Sequence, residues 1–151
     1  MTFILGDSFT PTIDITHARI SHSEGWRTGA TITASGSASG HPVANIDNTL
    51  TYETWTGSDA DEIITWDFGS ATYAASIGIA AHDLGSLGHD LRVQYSDDNV
   101  TWTTLVSPTT ITDDSPIICQ WESQQHRYWR IRINGGSGAP SIGVAKLGGL
   151  T

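Results

Sequence analysis

The segment His82-Asp83-Leu84-Gly85-Ser86-Leu87-Gly88-His89-Asp90 holds two imidazoles and two carboxylates within nine residues. Trp26-Arg27 sets an indole beside a guanidinium, outside any strand pattern. Such groups supply what a recognition site needs: an aromatic face for stacking and fixed polar atoms for hydroxyls. Trp26, Arg27, His82, Asp83 and His89 are therefore the candidate binding residues. Each has a plainer alternative. The histidine loop could be a solvated turn or an interchain contact, and Trp26 could cap the core or pack on a partner subunit. His82 and His89 could also ligate a metal, but no Cys or Glu stands beside them and their spacing specifies none. Arg92, Arg130 and Arg132, three of only seven basic residues, fall on expected outward strand faces. They could form a basic patch for an anionic glycan or a partner's acidic face, or simply pair with nearby aspartates, as exposed charges commonly do.

Bond-breaking chemistry has one candidate. Ile4-Leu5-Gly6-Asp7-Ser8-Phe9 resembles the first block of GDS-type esterases, in which the serine is the nucleophile. Such an enzyme needs a late histidine preceded three residues earlier by aspartate, on a strand–helix scaffold. Here the last histidine, His126, is preceded at that spacing by Ser123, and the only Asp-x-x-His is Asp14-Ile15-Thr16-His17. Gly6-Asp7-Ser8 reads instead as a turn after a first strand, and the chain as non-catalytic. No Gly-x-Ser-x-Gly, His-Glu-x-x-His or phosphate-binding loop occurs.

The elements that must position these groups read as strands. Of 151 residues, 20 are Thr and 16 Ile against 8 Leu, a balance that favours pleated, half-buried surfaces over helices. Leu91, Val93 and Tyr95 alternate with Arg92 and Gln94. Ser96-Asp97-Asp98-Asn99 then marks a turn into Thr101–Leu105, which completes a hairpin. Ile64, Trp66 and Phe68 alternate until Gly69-Ser70, and Ile77 and Ile79 continue the theme. Pro116–Trp121, Trp129–Ile133 and Ile142–Leu147 read as further strands. No stretch holds a helical period. About eight strands predict an all-β, two-sheet sandwich, a jelly roll. Residues 1–40, with the run Ser35-Gly36-Ser37-Ala38-Ser39-Gly40, read as an N-terminal strand or arm followed by long loops. That part either belongs to the same domain or serves as an assembly arm, and the sandwich proper runs over 41–151.

Composition also excludes. A net charge of −9 with a single lysine, Lys146, is opposite to what a phosphate-neutralising nucleic-acid binder needs. No apolar run is long enough to span a membrane as a helix. One cysteine, Cys119, rules out an intrachain disulfide framework and reads as a small buried hydrophobe. Met1–Asp7 lacks the basic and apolar regions of a secretory signal.

Four blocks, taken together and in order, resemble the discoidin, or coagulation factor 5/8 C-type, family. They are Asn45-Ile46-Asp47-Asn48 with Thr54-Trp55; Ile64-Thr65-Trp66-Asp67-Phe68-Gly69-Ser70-Ala71; Leu91 through Trp102; and Arg127-Tyr128-Trp129-Arg130-Ile131-Arg132-Ile133. The resemblance covers roughly residues 41–150. It implies a galactose-binding-like jelly roll that binds glycans, lipid head groups or proteins through loops at one end, and places Trp55 and Trp102 in core blocks. It also implies a structural Ca²⁺, with Asp47 offering a carboxylate and Ala44, Asn48 and Thr49 carbonyls. Three departures weaken that set: Asn48 replaces a glycine, the spacing to Trp55 is altered, and Gly143 stands where the last strand usually carries a glutamate; Asp47 could instead hydrogen-bond its own turn. The phrases Ile79–Ser86, Tyr95–Asp98 and Ile142–Gly148 are similar to discoidin-like domains in structural proteins of tailed bacteriophages. That similarity implies a virion component in a tail, fibre or head-decoration position. It would be a homo-oligomer contacting other virion proteins, with host surface glycan as a further partner. A free-standing carbohydrate-binding module is the alternative.

Overall fold

A computed structural model describes residues 1–8 and 26–149. Its strands are β1 (Thr2–Leu5), β2 (Thr31–Ala34), β3 (Trp55–Thr56), β4 (Glu62–His82), β5 (Asp90–Ser96), β6 (Thr103–Thr110), β7 (Ile117–Asn134) and β8 (Ser141–Gly148). Two short helical pieces interrupt them, a 3-10 turn at Val43–Asp47 and a four-residue helix, α1, at Leu84–Leu87.

The segments Ile63–Phe68 and Ile77–Ile79, separate in the sequence reading, are one strand of 21 residues. Pro116–Trp121 and Trp129–Ile133 likewise merge into β7, of 18 residues. The breaks expected between them are corners within continuous strands. Gly69 takes φ +72°, a left-handed value that a residue with a Cβ adopts at a cost, and the β4–β7 register shifts between Asp67 and Thr72. The polar run Glu122–Gln125 lies opposite on the outside of that bend, where solvent satisfies it.

Both long strands therefore pass through two layers. In one, β2, the first half of β4, the second half of β7, β5 and β6 lie in that order. In the other, β3, β8, the second half of β4, the first half of β7 and the parallel β1 follow one another. The architecture is the all-β sandwich jelly roll that the alternation predicts. Between the layers lie Trp55, Trp66, Trp121, Trp129, Ile64, Ile77, Ile131 and Leu147, all buried. Cys119 is buried among them, facing Ile77 across the β4–β7 ladder. The indole N–H groups of the buried tryptophans are satisfied: Trp121 donates to the Ala74 carbonyl and Trp129 to that of His126, each at 3.0 Å. Trp102 departs from expectation. It is half-buried, and its ring lies under the Arg130 guanidinium, 3.9 Å from cation to centroid.

The N-terminal region contributes to both layers. β1 pairs with β7, and β2 pairs with β4. The low-complexity run is pinned: Trp55 Nε1 donates to the Gly36 carbonyl and the Ser37 hydroxyl, each at 3.0 Å, and Ala38 N donates to Thr56 O at 2.8 Å.

Candidate functional site

The candidate residues read from the sequence do not come together. Trp26 bridges to Gly148 at one end of β8, whereas His82 pairs with Ile142 at the other. At about 3.4 Å per residue that separates them by roughly 20 Å along the ladder. Arg27 is tied locally, its Nε donating to the Tyr73 carbonyl at 2.6 Å and its backbone N to Leu147 O at 2.8 Å. Trp26 lines a mostly apolar cavity of about 340 Å³ on the outer face of the β8 layer, with Thr49, Ile118, Val144 and Lys146.

The histidine loop is not a solvated turn. His82 is 6% exposed; its Nε2 meets the Ser115 carbonyl at 2.8 Å and its Nδ1 accepts from Leu84 N at 3.3 Å. His89 is fully buried against Gly136, where no Cβ would fit. Asp83 accepts the Ser141 amide at 2.7 Å. His82 and Asp83 fasten α1 to the β6–β7 loop and to β8, His89 is held by packing with neither ring nitrogen hydrogen-bonded, and neither imidazole offers a face to solvent. Among the described residues no group of three or more His, Cys, Asp or Glu could hold a metal ion.

Ser8 is exposed in the turn after β1, and among the described residues its hydroxyl has no histidine or carboxylate partner. Asp7 beside it is occupied, accepting from the Ser107 amide at 2.9 Å and the Ser107 hydroxyl at 2.6 Å. Asp14 and His17 lie outside the described residues.

The loop expected to hold calcium closes around a different cation. The Lys146 ammonium donates to the Asp47 carboxylate at 2.5 Å and to the Asp47 backbone carbonyl. Asn48 is spent within the loop, its Oδ1 accepting from Leu50 N at 2.7 Å and its Nδ2 donating to Glu53 at 2.8 Å. At Gly143 a Cβ would lie 2.8 Å from that of Ala81 and 3.1 Å from the Thr51 carbonyl, so no longer side chain can enter there. Calcium requires six to eight oxygens, several of them anionic. Ala44, Asp47, Asn48 and Thr49 supply one carboxylate, already neutralised, and this donor set does not fit the ion.

The same loop end builds a groove. The 3-10 turn folds His41, Asn45, Tyr52, Glu53 and Thr54 around a space of about 380 Å³. Tyr52 is 77% exposed, an aromatic face without a packing role. Beside it the polar groups are held in place. His41 Nδ1 meets both the carbonyl and the hydroxyl of Thr54 at 3.2 Å, Asn45 Nδ2 donates to Thr54 O at 2.9 Å, and Glu53 is gripped by Asn48. His41 Nε2, Asn45 Oδ1 and the Glu53 carboxylate remain to meet hydroxyls. An exposed platform flanked by fixed donors and acceptors is the geometry of sugar recognition. The available sequence signal was Tyr52 itself, an aromatic inside the polar stretch Thr51–Thr54.

The model of the F5/8 type C domain matches residues 31–145, so the match begins at β2, ahead of the His41 start read from the residues. No curated protein matches the chain. Among solved structures, the CBM32 of AlyQ in complex with 4,5-unsaturated mannuronic acid shares 20% identity at a TM-score of 0.65, covering 87% of this chain and 98% of that one. Chitosan-binding module 1 of a chitosanase/glucanase from Paenibacillus sp. IK-5 shares 16% at 0.64, over 80% of this chain and 96% of that one. A Ruminococcus gnavus GH29 fucosidase in complex with fucose shares 19% at 0.69, over 82% of this chain but only 26% of the enzyme. Each shows the same fold.

Proposed function

The chain belongs to the F5/8 type C domain family, and from that membership we propose that it is a non-catalytic carbohydrate-binding domain whose sugar site is the groove at Tyr52. The observation that carries this reading is the exposed Tyr52 ring lining one groove with polar groups already fixed by Thr54 and Asn48. A ring so placed costs little to desolvate and stacks on the apolar face of a pyranose, while His41, Asn45 and Glu53 order its hydroxyls. The mannuronic acid held by one structural relative and the chitosan named for another support a sugar ligand. The test is calorimetric titration with a panel of neutral mono- and oligosaccharides. Wild type should bind at least one saturably, and Tyr52→Ala should weaken that binding at least about tenfold. Unchanged binding in Tyr52→Ala would remove the site from the groove; no binding to any sugar would remove the function.

A second reading concerns setting. The domain would serve as a building component of a tailed-phage virion, docking to other copies or virion proteins and meeting host surface glycan outside the cell. What favours assembly is β1, which among the described residues pairs on one side only and exposes Phe3 and Leu5, with Met1 exposed just ahead of it. An apolar row on an open edge suits burial against a further chain. Light scattering should then give a closed oligomer that Phe3→Asp dissociates; a monomeric wild type ends this reading.

A further inference from the structure

We propose that the outer face of the β5–β6 layer is a second ligand site, separate from the Tyr52 groove, and that it takes a carboxylate-bearing sugar between Arg130, Trp102 and Thr65. Arg92 and Arg132 are direct cross-strand partners, and Arg130 stands two residues along β7 on the same face, opposite Gln94. Like charges set opposite each other on neighbouring strands destabilise a sheet unless a counter-charge joins them. Here none does. The chain carries a net −9, yet no ion pair among the described residues involves Arg92, Arg130 or Arg132. The carboxylates nearby are engaged elsewhere: Glu62 by Ser35 and Ser58, Asp90 by the Thr110 hydroxyl, Asp98 by the amides of its own turn. Arg92 Nε is buried with no protein partner. Burial, and after it the Arg132 and Arg92 charges, push Arg130 below the ordinary arginine range.

Arg130 is also built to grip. Its Nε donates to Gln94 Oε1 at 2.9 Å, Gln94 Nε2 donates in turn to Thr104 at 3.0 Å, and the guanidinium plane rests on Trp102. Held at one edge and one face, the fork keeps its remaining N–H groups for a planar carboxylate. The groove beside it, about 280 Å³, is lined by Thr33, Thr65 and Asn99. That volume suits a sugar ring with hydroxyls for the threonines; a helix or an added strand needs a longer trough. The sugar class rests on the carbohydrate reading above, whereas the position and charge of this site do not depend on Tyr52.

The experiment titrates the full chain with tetrameric uronates of galacto, manno and gluco configuration, with their methyl esters, and with a poly-glutamate peptide. At least one uronate should bind, more weakly as salt rises, with its methyl ester at least about tenfold weaker. Arg130→Gln and Arg132→Gln should each lose about tenfold in uronate binding while keeping the wild-type circular-dichroism spectrum and the wild-type binding of neutral sugars. Loss in Tyr52→Ala with unchanged binding in the arginine variants would overturn the second site while leaving the loop groove standing. Equal binding of ester and acid, binding of no uronate, or preference for poly-glutamate would each overturn the proposal. Neutral-sugar binding that Tyr52→Ala leaves intact would sink the loop reading alone.

Discussion

Replacing Lys146 by methionine isolates the cation that holds the Asp47 loop. The substitution keeps the apolar stem, which packs with only 12% of the side chain exposed, and removes the ammonium. Two contacts disappear, one to a carboxylate at 2.5 Å and one to a backbone carbonyl. A hydrogen bond to a charged group is worth about 1.5–3 kcal/mol. Asp47 is 57% exposed, so solvent screens the ionic part towards the 0–1 kcal/mol of a surface pair. Together these give a loss of about 1–2 kcal/mol, or roughly 3–6 °C in Tm for a domain this size. Differential scanning calorimetry of wild type and Lys146→Met, in calcium and in chelator, reads this directly. The wild-type Tm should be the same in both media, and the variant should be lower in both by the same amount. An ion that bound the native loop at a hundred times its Kd would add about 2.7 kcal/mol. A wild-type Tm that climbs with calcium concentration would therefore refute the assignment of the loop's cation to Lys146.

Other consequences are as direct. Burial would raise the Glu62 pKa, but hydrogen bonds from Ser35 and from the Asp59 and Ser58 amides outweigh it and hold the carboxyl below its ordinary 4.5. A depressed value means that this contribution is complete above pH 4.5 and is lost as pH falls through the lower folded value. Glu62→Gln should thus cost about 1–3 kcal/mol at neutral pH and flatten the acid limb of the stability curve, measured by urea titration. Burial pushes the Cys119 thiol up to about 12, so a thiol reagent at neutral pH should label the chain only on unfolding. Gly143→Glu, which restores the family's acidic residue, should create no calcium dependence. It should cost about 2 kcal/mol or more by forcing Ala81 and Thr51 apart, read as a lowered urea midpoint.

What was legible in the sequence was whatever repeats with period two. Leu91/Val93/Tyr95 and Trp129/Ile131/Ile133 announce their faces because each strand covers a core on one side. The corners were not legible: Gly69-Ser70 and Glu122–Gln125 carry turn chemistry, yet they bend strands without ending them. Burial of His82 and His89 had no local signal, since it depends on α1, Ser115 and Gly136 closing over them. The Asp47–Lys146 pair joins residues 99 apart in the chain. Its hint was a single lysine on a last strand that lacks the expected acid. For the arginine face, the sequence favours pairing with nearby aspartates over an open patch; among the described residues no such ion pair forms, and Arg92 faces Arg132 across the ladder.

The two long strands have a consequence for how the molecule comes apart. Because β4 and β7 each run through both layers and pair with each other along most of their length, neither layer owns a complete set of hydrogen-bonded strands. One half cannot melt while the other persists, since peeling either strand strips both at once. Amide exchange across the two layers should then share one slow opening event, and a cut near the Gly69 corner should release the whole domain to proteolysis rather than trim a flap. Joining residues so distant in sequence before any local nucleus is stable should also make refolding slow, in the millisecond-to-second range typical of β-sandwiches.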